Sequence, residues 1–194
     1  MTAARTAALP RAALLTAGLA AALTLRLALA GEDGEGSIPA GVAFAVALLL
    51  LALAAGWRPR QPAPAALLAG LGGGAVLVAP PLWLHLTRPV PVLPFPAEAF
   101  PYWLPAALLI AVGEEALLRG VLFGALERCG GTVPAVALTS LAFALIHVPL
   151  YGPAAIPLDL VVGVWLGSLR VVTGGVTAPA VAHAVADVGF WWLL

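Results

Sequence analysis

The chain has 194 residues, of which 62% are hydrophobic and only 9% are charged, and its nine basic and nine acidic side chains cancel. Because soluble domains carry about 25% charged residues, this composition excludes an ordinary soluble protein and indicates an integral membrane protein. The overall charge indicates neither nucleic acid nor anionic lipid as a partner. The single cysteine, Cys129, excludes an internal disulfide and a cysteine-rich metal site.

Seven apolar stretches long enough to cross a bilayer follow one another along the chain. They run over Ala12–Ala30, Ile38–Trp57, Ala65–Leu86, Tyr102–Arg128, Thr132–Val148, Ile156–Val172 and Val176–Leu194. The first follows Arg5 and Arg11 in the manner of a signal peptide, but only further apolar segments come after it, so we interpret it as an uncleaved span. We therefore predict an all-α, polytopic transmembrane bundle of about seven helices, with eight as the alternative.

The linkers divide this bundle and set its orientation. An acidic loop at 31–36 and a proline-rich loop at 88–101 are predicted outside the helices, and the second separates N-terminal helices (1–100) from a catalytic core (101–194). The arginines predicted on one side of a seven-span topology are Arg5, Arg11, Arg58, Arg60, Arg128 and Arg170. By the positive-inside rule the protein is predicted to lie in the cell membrane with its N-terminus on the cytoplasmic side. Arg26, near the end of the first span, is expected to extend toward lipid headgroups.

The fourth stretch carries charges that packing alone does not explain. Glu114, Glu115 and Arg119 lie inside an apolar helical segment, where insertion of each charge costs roughly 2.5–3.5 kcal/mol and usually serves function. Residues four apart share a helix face, so Glu115 and Arg119 are predicted to form an ion pair. Glu114 points about 100° away and is left available for chemistry.

Two later stretches supply the groups that Glu114 could meet. Phe143 and His147 lie four apart on the fifth stretch, and His183 and Asp187 lie four apart on the seventh. Glu114, His147, His183 and Asp187 together have the composition of a zinc-type site of nitrogen and oxygen ligands. They equally suit a general base supported by hydrogen-bonding histidines. Either arrangement activates water for peptide hydrolysis, with the site between the fourth, fifth and seventh helices.

The three patterns Glu114-Glu115-x-x-x-Arg119, Phe143-x-x-x-His147 and His183-x-x-x-Asp187 resemble the signature motifs of the CPBP family. This family contains intramembrane metalloproteases related to type II CAAX prenyl endopeptidases and to bacteriocin-immunity (Abi) proteins. The resemblance spans roughly residues 101–191. It implies that Glu114 activates water, that His147 and His183 bind metal or stabilise the oxyanion, and that Glu115 with Arg119 orders the site.

The resemblance also implies a cofactor and a class of substrate. Asp187 stands where the family often has Asn, and its extra negative charge favours a divalent metal, zinc above others, held by Glu114, His147, His183 and Asp187. The expected substrate is a peptide or membrane protein. Many members have an additional helix after the last motif, which is the source of the eight-span alternative.

Functions other than proteolysis by activated water are also compatible with these residues. A non-catalytic immunity or scaffold protein of the same family, or a proton or ion pathway, would use the same polar cluster differently. Ser140 lies seven residues before His147 on the same face, but helix serines usually bond their own backbone. Asp159 is predicted to be an interfacial or capping residue near the start of the sixth helix, not part of a catalytic pair.

Overall fold

The computed structural model describes residues 3–31, 37–88 and 99–193, with side chains from residue 8 onward. Within these ranges the chain is helical apart from short linkers and contains no strand. The elements are α1 (Ala3–Ala30), α2 (Ile38–Ala54), α3 (Pro64–Thr87), α4 (Phe100–Glu115), a π-helical segment (Ala116–Leu122), α5 (Phe123–Gly130), α6 (Thr132–Tyr151), a short 3₁₀ turn (Pro153–Ala155), α7 (Ile156–Thr173) and α8 (Thr177–Leu193). The two predicted loops lie mostly outside the described residues.

Four helical stretches are long and apolar enough to cross a membrane: Ala8–Ala30, Pro64–Thr87, Thr132–Tyr151 and Pro153–Thr173. Helix α2 is apolar but has 17 residues, or roughly 26 Å at 1.5 Å per residue. Large apolar side chains such as Leu14, Leu68 and Val172 point outward with 69–82% of their surface exposed. These features indicate an integral membrane protein, while the number of spans, seven or eight, stays a prediction.

The core packs α1, α2, α6, α7 and α8 around the π-helical segment. Leu117 and Leu118 of that segment are fully buried, together with Phe44 and Leu48 of α2 and Leu166 of α7. The predicted fourth helix therefore runs through the centre of the described bundle. This position surrounds its charged residues with protein instead of lipid.

Glycines allow the helices that flank this centre to approach closely. A Cβ added at Gly163 of α7 would lie 2.9 Å from the Ser140 Cα of α6, and one at Gly167 would lie 3.1 Å from Val136. This confirms the contact face that the Gly163/Gly167 spacing predicts. In α3, Gly70 and Gly74 meet α8 in the same way, with distances of 2.6 and 2.5 Å to Val181 and Val185.

Candidate active site

Glu115 and Arg119 form a fully buried ion pair at the centre of the bundle. The Arg119 Nη1 donates to Glu115 Oε1 at 2.6 Å, and both side chains have no exposed surface. The predicted pairing is confirmed. Arg119 also donates through Nη2 to the Gly163 carbonyl of α7 at 3.1 Å, and its Cζ lies 4.9 Å from the centre of the Phe143 ring on α6. One guanidinium thus joins three elements of the bundle.

The backbone that carries Arg119 is π-helical, which the sequence did not predict. Helix α4 ends at Glu115, and seven residues follow with the wider π-helical hydrogen bonding before α5 begins at Phe123. Such segments are rare and occur frequently at functional sites. The wider turn changes which side chains share a face, so Leu117, Leu118 and Arg119 are all fully buried in succession.

His183 of α8 joins the same carboxylate. Its Nδ1 lies 3.2 Å from Glu115 Oε1, and this oxygen therefore accepts from both His183 and Arg119. The other ring nitrogen, Nε2, lies 3.7 Å from Asp187 Oδ1 one turn further along α8. Because a hydrogen bond to a carboxylate needs a donor, Nδ1 carries a proton and Nε2 is the nitrogen that remains for another partner.

His147 of α6 lies beside Phe143, whose ring also contacts His183. The Phe143 ring centre is 4.6 Å from that of His147 and 5.4 Å from that of His183, with both histidines edge-on. The His147 Nδ1 donates to the Phe143 carbonyl at 2.8 Å, which again leaves Nε2 available. The charges of His147, His183 and Asp187 interact with one another, so the second and third motifs meet at one place.

Glu114 differs from its neighbour in having no ion pair among the described residues. The residue is 99% buried, and its Oε2 has no hydrogen-bond partner. Its carboxylate interacts electrostatically with His183, Arg26 and Arg119. A buried carboxylate oxygen normally has a partner, so this atom has room in its bonding for a water or a substrate group.

Arg26 of α1 belongs to this cluster, and its expected extension toward headgroups is wrong. The residue is only 7% exposed, and its Cζ lies 5.2 Å from the centre of the buried Phe44 ring. Its charge acts on Glu114. The sequence did indicate a role for Arg26, because an arginine inside an apolar stretch is a functional candidate by default. Its place four residues before the helix end favoured the prediction that it extends toward headgroups.

Asp159 of α7 is a second residue that the sequence interpretation missed. It forms no capping hydrogen bond at the start of α7, and its Oδ2 is buried without a hydrogen-bond partner. Its charge interacts most strongly with that of His147 and also with that of Glu114. The capping interpretation is therefore wrong, and Asp159 adds a fourth carboxylate to the polar cluster beside Glu114, Glu115 and Asp187.

The side chains as they stand do not make a metal site. Among the described residues no group of three or more His, Cys, Asp or Glu side chains is arranged to hold an ion. The donor types of Glu114, His147, His183 and Asp187 suit zinc, and the hydrogen bond at Nδ1 of each histidine leaves its Nε2 as the nitrogen that could ligate a metal. Zinc binding by this set stays a prediction.

The serine alternative has a clear outcome. The Ser140 hydroxyl donates to the Val136 carbonyl of its own helix at 2.7 Å, as expected for a helix serine. It is therefore not paired with His147.

Residues 96–189, just under half of the chain, match the family model of Type II CAAX prenyl endopeptidase Rce1-like proteins. The matched segment contains all three motifs and every residue of the cluster except Arg26. No curated protein and no solved structure gives a significant match. The resemblance found from the motifs is thus confirmed, and residues 96–189 belong to the Rce1-like type II CAAX prenyl endopeptidase family.

Proposed function

We propose that the protein is an intramembrane endopeptidase that hydrolyses a peptide bond with water activated by Glu114. The observation that carries this proposal is the contrast between two adjacent carboxylates. Glu115 is held through its Oε1 by Arg119 and His183, whereas the equally buried Glu114 forms no ion pair with a described residue; the Oε2 of each carboxylate lacks a hydrogen-bond partner. Membership of the Rce1-like family supports the same chemistry.

In the proposed reaction Glu114 accepts a proton from water while the water oxygen attacks the peptide carbonyl carbon. The carbonyl oxygen becomes an oxyanion in a tetrahedral intermediate. Glu114 then returns the proton to the nitrogen of the breaking C–N bond, so that an amine and a carboxylic acid leave, and the acid releases its proton to water. A buried, positioned carboxylate is a competent general base and acid for both transfers.

The two imidazoles are the proposed stabilisers of the oxyanion. Each has Nδ1 occupied by a hydrogen bond, to Phe143 for His147 and to Glu115 for His183, so each ring is fixed with Nε2 directed elsewhere. A protonated Nε2 donates a hydrogen bond to developing negative charge, and fixed donors of this kind contribute about 10²–10³ in rate. Glu115 and Arg119 position His183 and do not take part in the bond changes.

The activity is tested with peptides that carry a C-terminal prenylcysteine motif, and with their unprenylated counterparts, on the full-length protein in proteoliposomes. We expect Glu114→Gln to abolish cleavage while thermal unfolding is unchanged. The matched control is Glu127→Gln, the same change on an exposed residue of α5, which keeps full activity. Cleavage that survives Glu114→Gln would contradict the proposal.

The same preparation separates the rival functions. If no peptide is cleaved and Glu114→Gln still supports the cellular phenotype of the wild-type chain, the non-catalytic immunity or scaffold function is favoured instead. A proton or ion pathway would appear as flux across the proteoliposome membrane that Glu114→Gln removes.

The zinc prediction is tested by metal analysis of the purified protein. Stoichiometric zinc that disappears in His147→Ala would confirm a metal held by the predicted set. Zinc-free protein with full activity would leave Glu114 as a base that needs no metal.

A further inference from the structure

Five arginines line one cavity at the end of the bundle where α1 and α3 begin. They come from different elements: Arg11 of α1, Arg58 and Arg60 of the linker between α2 and α3, Arg128 of α5, and Arg170 of α7. The cavity has a volume of about 830 Å³, which lies within the range of small-molecule sites. Among the residues that the structure describes, no acidic side chain lines it.

These arginines keep donors that the described protein does not use. None forms an ion pair with a described carboxylate. Arg11 and Arg58 donate to carbonyls at the end of α2, and Arg170 donates through Nε to the Arg119 carbonyl. A guanidinium has five N–H donors, so most of the donors around this cavity remain available. Five positive charges without a counter-charge repel one another and favour a bound anion.

Apart from Gln61, Thr173 and Thr177, the other residues that line the cavity are apolar or glycine. Leu67 of α3, Val112 of α4, Val121 of the π-helical segment and Val181 of α8 line it beside Trp57. Tryptophan is enriched where protein, headgroups and hydrocarbon meet. The ligand that fits such a cavity is anionic at one end and apolar at the other.

We propose that this cavity, the arginine cavity, binds one anionic phospholipid. The arginines hold the phosphate, and the acyl chains follow the apolar wall beside Leu67 and Val181. Basic pockets between transmembrane helices bind anionic headgroups in the same way. The chain as a whole has a net charge of zero, so its overall charge gives no sign of this site. The described lining nevertheless contains five arginines and no acidic residue. The proposal is independent of the proposed proteolysis, since the arginine cavity shares no residue with the polar cluster around Glu114.

The test measures lipid binding to the detergent-purified full-length chain by native mass spectrometry, with phosphatidylglycerol and phosphatidylcholine of identical chains. We expect phosphatidylglycerol to bind with one-to-one stoichiometry and at least about tenfold more tightly. Arg60→Gln and Arg128→Gln should each weaken it about fivefold, the effect of one arginine beside an anionic lipid surface. The matched control, Arg88→Gln, changes an exposed arginine at the end of α3 and should leave binding unchanged.

A second variant keeps every charge and fills the space. Ala66 lines the cavity, and Ala66→Trp should exclude the lipid while all five arginines remain. Inorganic phosphate and glycerol phosphate, added in millimolar amounts, should compete weakly because they lack acyl chains. Equal binding of the two lipids, wild-type binding in the arginine variants, an equal effect of Arg88→Gln, or full displacement by inorganic phosphate would each overturn the proposal.

Discussion

At the scale of single residues, two adjacent glutamates have different surroundings although their chemistry is identical. Glu115 accepts from Arg119 and His183, and Glu114 forms no ion pair with a described residue. Burial therefore has opposite consequences for the two positions. Neutralising Glu115 leaves a buried arginine without its partner, whereas neutralising Glu114 breaks no ion pair between described residues.

We expect Glu115→Gln to destabilise the protein by about 3–5 kcal/mol, the usual cost of breaking a buried pair from one side. Glu114→Gln should change stability far less. The measurement is the free energy of unfolding, or the melting temperature, of both variants in the same detergent. Because the two variants carry the same chemical change one residue apart, equal losses would show that Arg119 does not depend on Glu115.

Arg26 is the residue of the cluster that lies outside the family segment. Its positive charge attracts the Glu114 carboxylate, so we expect Arg26→Gln to lower kcat about tenfold, or about 1.4 kcal/mol, with KM unchanged. Arg26→Lys should recover most of the rate because the charge is kept. The control is Arg88→Gln, which removes the charge of an exposed arginine at the end of α3. A loss of rate in Arg26→Lys as large as in Arg26→Gln would point to packing over Phe44 instead.

At the scale of the elements, the site depends on how closely α6 and α7 approach each other. Gly163 contacts Ser140 directly, and its carbonyl accepts a hydrogen bond from Arg119. Gly163 therefore makes both the close contact between α6 and α7 and the hydrogen bond that holds Arg119 of the π-helical segment. The π-helical segment brings Arg119 to this carbonyl from the other side.

Gly163→Ala should disturb both functions of that residue. The added Cβ would lie 2.9 Å from the Ser140 Cα and 3.2 Å from its carbonyl oxygen, so the helices must separate and the Arg119 contact must lengthen. We expect a destabilisation of about 1–3 kcal/mol, as for other overpacked sites, together with loss of activity. Gly72→Ala on α3 is the control, because a Cβ there meets nothing within 4 Å. Equal melting temperatures of the two variants would contradict this account.

At the scale of the whole molecule, five of the six arginines that the positive-inside rule assigns to one side do come together. Arg11, Arg58, Arg60, Arg128 and Arg170 line a single cavity although they are spread over 160 residues of the chain. Their common location agrees with a topology in which the chain returns to that side after α2, α5 and α7. It does not fix which side faces the cytoplasm.

Labelling of single cysteines tests this topology. In a Cys129→Ser background, a cysteine at Gln61 or Gly175 should react with a membrane-impermeant maleimide only from the cytoplasmic side. A cysteine at Ala154, between α6 and α7, should react only from the opposite side. Labelling of Gln61→Cys and Ala154→Cys from the same side would rule out seven spans.

The sequence alone determined the class of protein, the order and approximate bounds of its helices, and the three motifs, because hydropathy and four-residue spacing are local properties of a chain. It also determined the Glu115–Arg119 pair, which is a contact within one helical turn. Only the tertiary structure decided that His183 joins Glu115, that Arg26 and Asp159 face the cluster, and that scattered arginines share a cavity. These are contacts between distant segments, and their geometry follows from the packing of glycine faces and the π-helical turn, which no local spacing encodes.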